Sequence, residues 1–414
     1  MAFMFVRGAT LRVCFFVSSV LLTGACTIEA PKDGSDGSNG SNGSNGSNGS
    51  STSGENNETK PPAPGVPGTP CDFKPSNAIG CGDTSTAPSV DVDATCDEAI
   101  IDTTAGKFAC GASVPSKVID QGPGNPKITV FFVNGFRLGR DKQVRAQGGN
   151  ALAIVSRGDV VIEGVLDATG FDQKCAPGPG GSSGGRDKDP RGENGGGPGG
   201  GEGGMNYGGA GGGSFGGLGG AGGSSTFNPP DSGANGGKTY GEVTLVPLLG
   251  GSGGGADKDY CGGGGGGAVH IASSTTIHIA SGGGINVGGG AGDGYRSGGG
   301  SGGAILVEAP NVVVDGALAA NGAGGSDGCG GELSANPACG GKGSSGSIGG
   351  VGSSAINPNA ASGTTPTGSY STGGGGGGGA GRIRINTASG SAAIKGVISP
   401  SLATNLATQG TLAK

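Results

Sequence analysis

The chain has 414 residues, of which 104 are glycine and 23 proline. Only 4% are aromatic, none is tryptophan, and the formal charge is −6. So little apolar material supports one modest core rather than several globular domains. The acidic balance argues against a nucleic-acid duplex or an anionic membrane surface as partner.

Residues 1–25 carry Arg7 and Arg12, then an apolar run over 13–22, then Thr-Gly-Ala before Cys26. This reads as a secretory signal peptide, since the run is too short to cross a bilayer. The segment resembles a bacterial lipoprotein signal, although the usual leucine three places before the cysteine is here Thr23. The resemblance implies lipidation at Cys26, and Thr27 after it implies the outer membrane, facing the cell surface or the periplasm. Of the ten cysteines, Cys14 leaves with the signal and Cys26 takes the lipid. Eight remain, an even number suited to four disulfides in an oxidising compartment.

Residues 26–70 read as a tether. Ser-Asn-Gly recurs over 38–49 with no apolar side chain to bury, so this part is expected to be disordered and flexible. The proline-rich stretch at 60–70 is stiffer and extended. Residues 71–112 hold Cys71, Cys81, Cys96 and Cys110 in polar, turn-rich sequence. Two disulfides are the expected staples of a small cap over the first coil of the repeat region. A zinc site would need closer cysteine pairs.

Residues 113–414 carry the repeat. The stretch 303–322 reads as three short strands, with apolar pairs at Ile305/Val307 and Val312/Val314 and a last strand opening at Leu318. Leu152, Val269, Ile305 and Ile383 fall in one slot, and Ile154, Ile271, Val307 and Ile385 in the next. Between them Ala153, His270, Leu306 and Arg384 form a row expected to face water. Val160/Ile162, Ile277/Ile279, Val312/Val314 and Ala392/Ile394 repeat the second strand, and Leu166, Ile285 and Leu318 open the third. Val144 and Leu166 give the bare period, 22 residues. Three strands per coil over about five coils predict an all-β fold, a right-handed parallel β-helix with three sides. The arrangement resembles the pectate-lyase-type solenoid in architecture. Across 118–400 the Gly-Gly-x habit also resembles that of a group of glycine-rich secreted bacterial lipoproteins, a likeness that implies no activity.

Glycine-rich excursions interrupt the repeat at 171–267, 288–302 and 323–379. Each leaves after a third strand and re-enters before a first, which places all three at one corner. Glycine this dense is either disordered or packed as extended polyglycine-type strands, and composition does not choose between them. Cys175 and Cys261 bracket the first excursion and are expected to pair, closing a loop worth about 4 kcal/mol by chain entropy. Cys329 and Cys339 form the local pair of the third.

Little here points to chemistry. His270 and His278 sit in outward slots with no nucleophile at a recognisable spacing. Glu163 and Asp315 share an outward slot, and with Asp167 they are the candidate acids for glycoside chemistry or calcium. The solenoid-enzyme signatures are absent, with Arg382-Ile-Arg384 only a partial echo, and Gly289–Gly294 lacks the nonapeptide spacing of calcium-binding repeats. No cofactor, metal or nucleic acid is expected. The first expectation is a non-enzymatic, lipid-anchored envelope protein, structural or adhesive, meeting extracellular polysaccharide, matrix or neighbouring surface proteins. The alternative is a β-helix polysaccharide lyase or glycoside hydrolase using Glu163, Asp167 and Asp315.

Overall fold

The computed structural model describes residues 74–413, apart from 81–86, 94, 97–98, 173 and 344–345. The signal, the tether, Cys26, Cys71 and Cys81 lie outside the described residues.

Regular structure is almost entirely β, with helix limited to short 3-10 turns such as Ala109–Gly111 and Leu402–Thr404. The strands form three sheets. Sheet I contains β1 (Ser89–Val92), β5 (Gly135–Leu138), β8 (Val160–Ile162), β11 (Thr276–Ile279), β14 (Asn311–Val314) and β17 (Ala393–Ile394). Sheet II contains β3 (Ser116–Ile119), β4 (Ile128–Val133), β7 (Ala151–Ser156), β10 (Ala268–Ser273), β13 (Ala304–Glu308), β16 (Arg382–Thr387) and β19 (Ala407–Thr411). Sheet III contains β2 (Ile100–Asp102), β6 (Gln143–Gln147), β9 (Val165–Asp167), β12 (Gly284–Asn286), β15 (Ala317–Ala319) and β18 (Val397–Ser399). Neighbours within each sheet are parallel except β3, which runs antiparallel to β4 and covers the first edge of sheet II. From β4 onward the chain visits sheets II, I and III in turn, circuit after circuit.

The rows read from sequence are the rows of the sheets. Leu152, Val269, Ile305 and Ile383 stand in register across sheet II, as do Ile154, Ile271, Val307 and Ile385. Val144, Leu166, Ile285, Leu318 and Ile398 form the matching row of sheet III. These side chains meet in one buried core, where each large aliphatic group contributes roughly 1.5–3 kcal/mol. Residues 89–102 supply β1 and β2 to this stack, and Cys96 bonds Cys110 beside them. Phe108 packs edge-on against Phe131 and Phe136, at 5.1 and 5.8 Å between ring centres, and closes that end of the core.

The long connections (168–267, 287–303 and 320–381) all run from sheet III to sheet II. In their described residues the backbone is packed by hydrogen bonds that repeat every three residues. Gly209 and Gly212 donate to the carbonyls of Gly223 and Gly220; Ala210 and Gly213 donate to Arg296 and Gly299; Gly211 and Ser214 donate to Glu202 and Gly199. Three neighbours taken in rotation mean three residues per turn, the repeat of a polyproline-II-type chain, whose backbone groups are free to bond outward. Gly-Gly-x is the sequence form of that repeat. Along one edge Leu218, Ala221 and Ser224 each donate a backbone N–H to a side-chain oxygen, of Asn359, Ser362 and Thr365 in turn.

Glycine is required because the chains lie too close for a Cβ. An added methyl at Gly212 would fall 1.9 Å from the carbonyl oxygen of Gly377, and one at Gly376 2.0 Å from that of Gly220. Cys175 bonds Cys261 and Cys329 bonds Cys339, so the first excursion is tied at its base and the third within itself.

The first excursion also folds back over sheet II. Phe215, Leu245 and Leu248, with Ile79 from the N-terminal side, form a second apolar cluster on the outer face of β4, β7, β10 and β13. This corrects the expected water-facing row: Ala153, His270 and Leu306 are fully buried, and only Arg384 keeps partial access.

Candidate functional site

The three candidate acids end up in different surroundings. Glu163 follows β8 and Asp315 follows β14, and the register of Ile162, Ile279 and Val314 places Ala280 between them. Two strand spacings, about 10 Å, therefore separate the two positions. Glu163 is buried and accepts a charge-assisted hydrogen bond from Arg137, which also pairs with Asp91. It does not stand on an open face, because the long Arg137 side chain lies against it. Asp315 accepts from His278 Nε2 at 3.0 Å and lies 3.6 Å from Lys395 Nζ. The His278 hydrogen bond is the main reason its carboxyl is held below the usual range, with Lys395 adding to it. Each acid is thus occupied by its own cation or imidazole, and these contacts do not assemble an acid–base pair across a sugar.

Asp167, at the end of β9, is placed differently. It accepts from Arg145 Nη1 and Gln143 Nε2, both at 2.8 Å, and from the Thr169 backbone N–H at 3.0 Å. The Arg145 guanidinium lies 4.1 Å from the centre of the Phe171 ring. Beyond Asp167 opens a cleft of about 480 Å³, bounded by Thr169, Asp172, Asn286, Glu332 and Leu333. Its floor is sheet III and its far wall the segment beside the Cys329–Cys339 bond. That volume suits a small polar ligand. Asp172 is partly used, since its Oδ1 accepts from Ala291 N at 2.8 Å.

His270 is the histidine that sequence reasoning misplaced. Its Nε2 lies 2.8 Å from Glu308 Oε2, and both residues are buried. Glu308 also accepts from Asn386 Nδ2 at 2.7 Å, and from the backbone N–H and hydroxyl of Ser76, each at 2.8 Å. Burial alone would raise the Glu308 carboxyl. The hydrogen bond and charge of His270, the Asn386 amide and the Ser76 N–H outweigh it and hold the group at about 2. This cluster escapes a sequence reading, because an acid in an outward slot of a strand reads as solvated. The one available signal was that His270 and Glu308 lie on repeats adjacent in register, two positions apart along the strand.

No group of three or more histidine, cysteine or acidic residues able to hold a metal occurs among the described residues. Nor, among them, is any helix long and apolar enough to cross a membrane. No protein-family model, no curated protein and no solved structure matches the chain.

Proposed function

We propose that this is a non-enzymatic, lipid-anchored protein of the outer membrane, tethered from Cys26, that displays its folded body for contact with glycan, matrix or neighbouring surface proteins. In this reading the three parallel sheets close into a right-handed, three-sided β-helix, and the glycine-rich excursions form a rigid layer along one corner of it. The observation that carries it is the order of those excursions. Their backbone polar groups bond between neighbouring segments of the excursions, and a large part of the sequence is devoted to a stiff surface. The pairing of Glu163 with Arg137 and the hydrogen bond of Asp315 to His278 support the same reading. Replacing Cys26 with serine is expected to move the protein from the membrane to the soluble fraction. A Cys26→Ser protein that still sediments with membranes sinks the anchor.

The lyase or hydrolase reading draws on one feature, the cleft beside Asp167. It requires that the protein shorten a polysaccharide and that Asp167→Asn abolish the shortening. Under the display reading, chain length after incubation with acidic and neutral polysaccharides is expected to be unchanged, with or without calcium.

A further inference from the structure

All five tyrosines of this aromatic-poor chain lie in the three excursions. Tyr240 is half-buried against the second apolar cluster, with its hydroxyl donating to the Gly250 carbonyl at 2.6 Å. The other four are on the surface: Tyr207 (38% exposed), Tyr260 (36%), Tyr295 (49%) and Tyr370 (70%). Burying a core does not explain their position.

The four are linked through a run of close contacts. Tyr370 meets Phe227 edge-on at 6.0 Å between ring centres, and Phe227 stacks on Tyr207 at 4.1 Å. The Arg296 guanidinium lies 6.0 Å and Lys258 Nζ 5.8 Å from the centre of the Tyr207 ring. Arg296 follows Tyr295, whose ring lies 6.3 Å from that of Tyr260. All three excursions contribute, and they are locked together. Arg296 donates to Asp257 at 3.1 Å and to Asp259 at 2.6 Å, while Tyr207 and Thr226 bond through their backbones to Gly373 and Ser371. The rings are therefore pre-positioned, and a ligand meets little ordering cost.

We propose that this row is a binding platform for an uncharged, hydroxyl-rich polysaccharide chain. The proposal rests on the display reading and specifies its contact partner. A sugar ring offers a face of C–H groups, slightly positive, to the negative face of an aromatic ring, and a rim of hydroxyls to polar groups beside it. The surface supplies both, with its most exposed rings at Tyr295 and Tyr370 and with Lys258, Asn206 and Asp231 as polar groups beside Tyr207. A protein partner would call for a broad apolar centre depleted of charge. Here the charges run between the rings. Lys258 and Arg296 are already paired with Asp257 and Asp259, so the two cations beside the Tyr207 ring are not free for a polyanion.

The test uses the purified full chain with microcrystalline cellulose, chitin and insoluble xylan, and with alginate as the polyanion. Binding is read by depletion and by tyrosine fluorescence, which no tryptophan masks. At least one neutral polysaccharide is expected to bind, with affinity insensitive to salt. Tyr370→Ala and Tyr295→Ala are each expected to weaken it about 3- to 10-fold, while Tyr295→Phe keeps it. Circular dichroism would check that the variants remain folded. Failure of every neutral polysaccharide to bind overturns the platform, as does a Tyr295→Ala/Tyr370→Ala double variant that binds like the parent. Preference for alginate that fades with salt also overturns it. In each of those cases the display reading is decided separately, by the Cys26→Ser fractionation.

Discussion

Replacing Gly220 with alanine is expected to destabilise the protein by about 3 kcal/mol, the top of the range for overpacking. The added methyl would lie 1.9 Å from the carbonyl oxygen of Ala361 and 2.5 Å from its carbonyl carbon. In an ordinary core a neighbouring side chain rotates away from such a clash. Here the neighbour is backbone, held in place because Gly377 donates to that same Ala361 oxygen, and the Gly220 N–H bonds in turn to Gly377. No rotamer can yield. Gly368→Ala is the control in the same layer, since its methyl would meet only Ser371 Oγ, at 3.5 Å. Alanine restricts the unfolded chain more than glycine does, so the control is expected to be neutral or to stabilise by up to about 1 kcal/mol. The guanidinium unfolding midpoint should fall for Gly220→Ala and hold or rise for Gly368→Ala. Equal, small shifts would mean that the excursions do not pack as this close layer.

The same contrast explains what was legible in the sequence. Leu152, Val269, Ile305 and Ile383 could be aligned because a strand that faces a core writes its geometry as period-two apolarity, and stacked copies repeat it. The shared passage of the long connections from sheet III to sheet II came from where the repeats break. The glycine layer left no such record. A residue without a side chain cannot advertise which face is buried, and the chains it meets are remote: Ala221 finds Ser362 and Ala210 finds Arg296. The period of three was visible in Gly-Gly-x, but it does not separate an ordered lattice from a flexible repeat. The misplacement of His270 has the same origin. Its row alternates correctly for an outward face, and only the arrival of Phe215, Leu245 and Leu248 turns that face into an interior.

That hidden interior makes Glu308 the site of the second large effect. Its carboxylate accepts hydrogen bonds from His270, Asn386 and Ser76, and so joins β10, β13 and β16 to the segment around Ser76. Glu308→Ala leaves those donors buried without an acceptor and is expected to lower stability at neutral pH by about 3–5 kcal/mol, the usual effect of removing one partner of a buried pair. The pH dependence has a defined sign. The folded-state carboxyl, at about 2, lies below its ordinary value of 4.5. The folded protein therefore holds the charged form more tightly than the unfolded chain does. The resulting stabilisation, on the order of 3 kcal/mol, is complete above about pH 4.5 and is lost as pH falls toward 2. Glu308→Gln, which keeps the shape but cannot ionise, should flatten that slope while leaving the contributions of other acids intact. Unfolding midpoints at pH 7, 4.5, 3 and 2 would read it directly. If parent and Glu308→Gln lose stability in parallel through that window, the carboxylate is not the anchor of the Ser76 segment. If the slopes diverge and limited proteolysis near Ser76 accelerates in the variant, the buried acid holds the Ser76 segment against the outer face of sheet II.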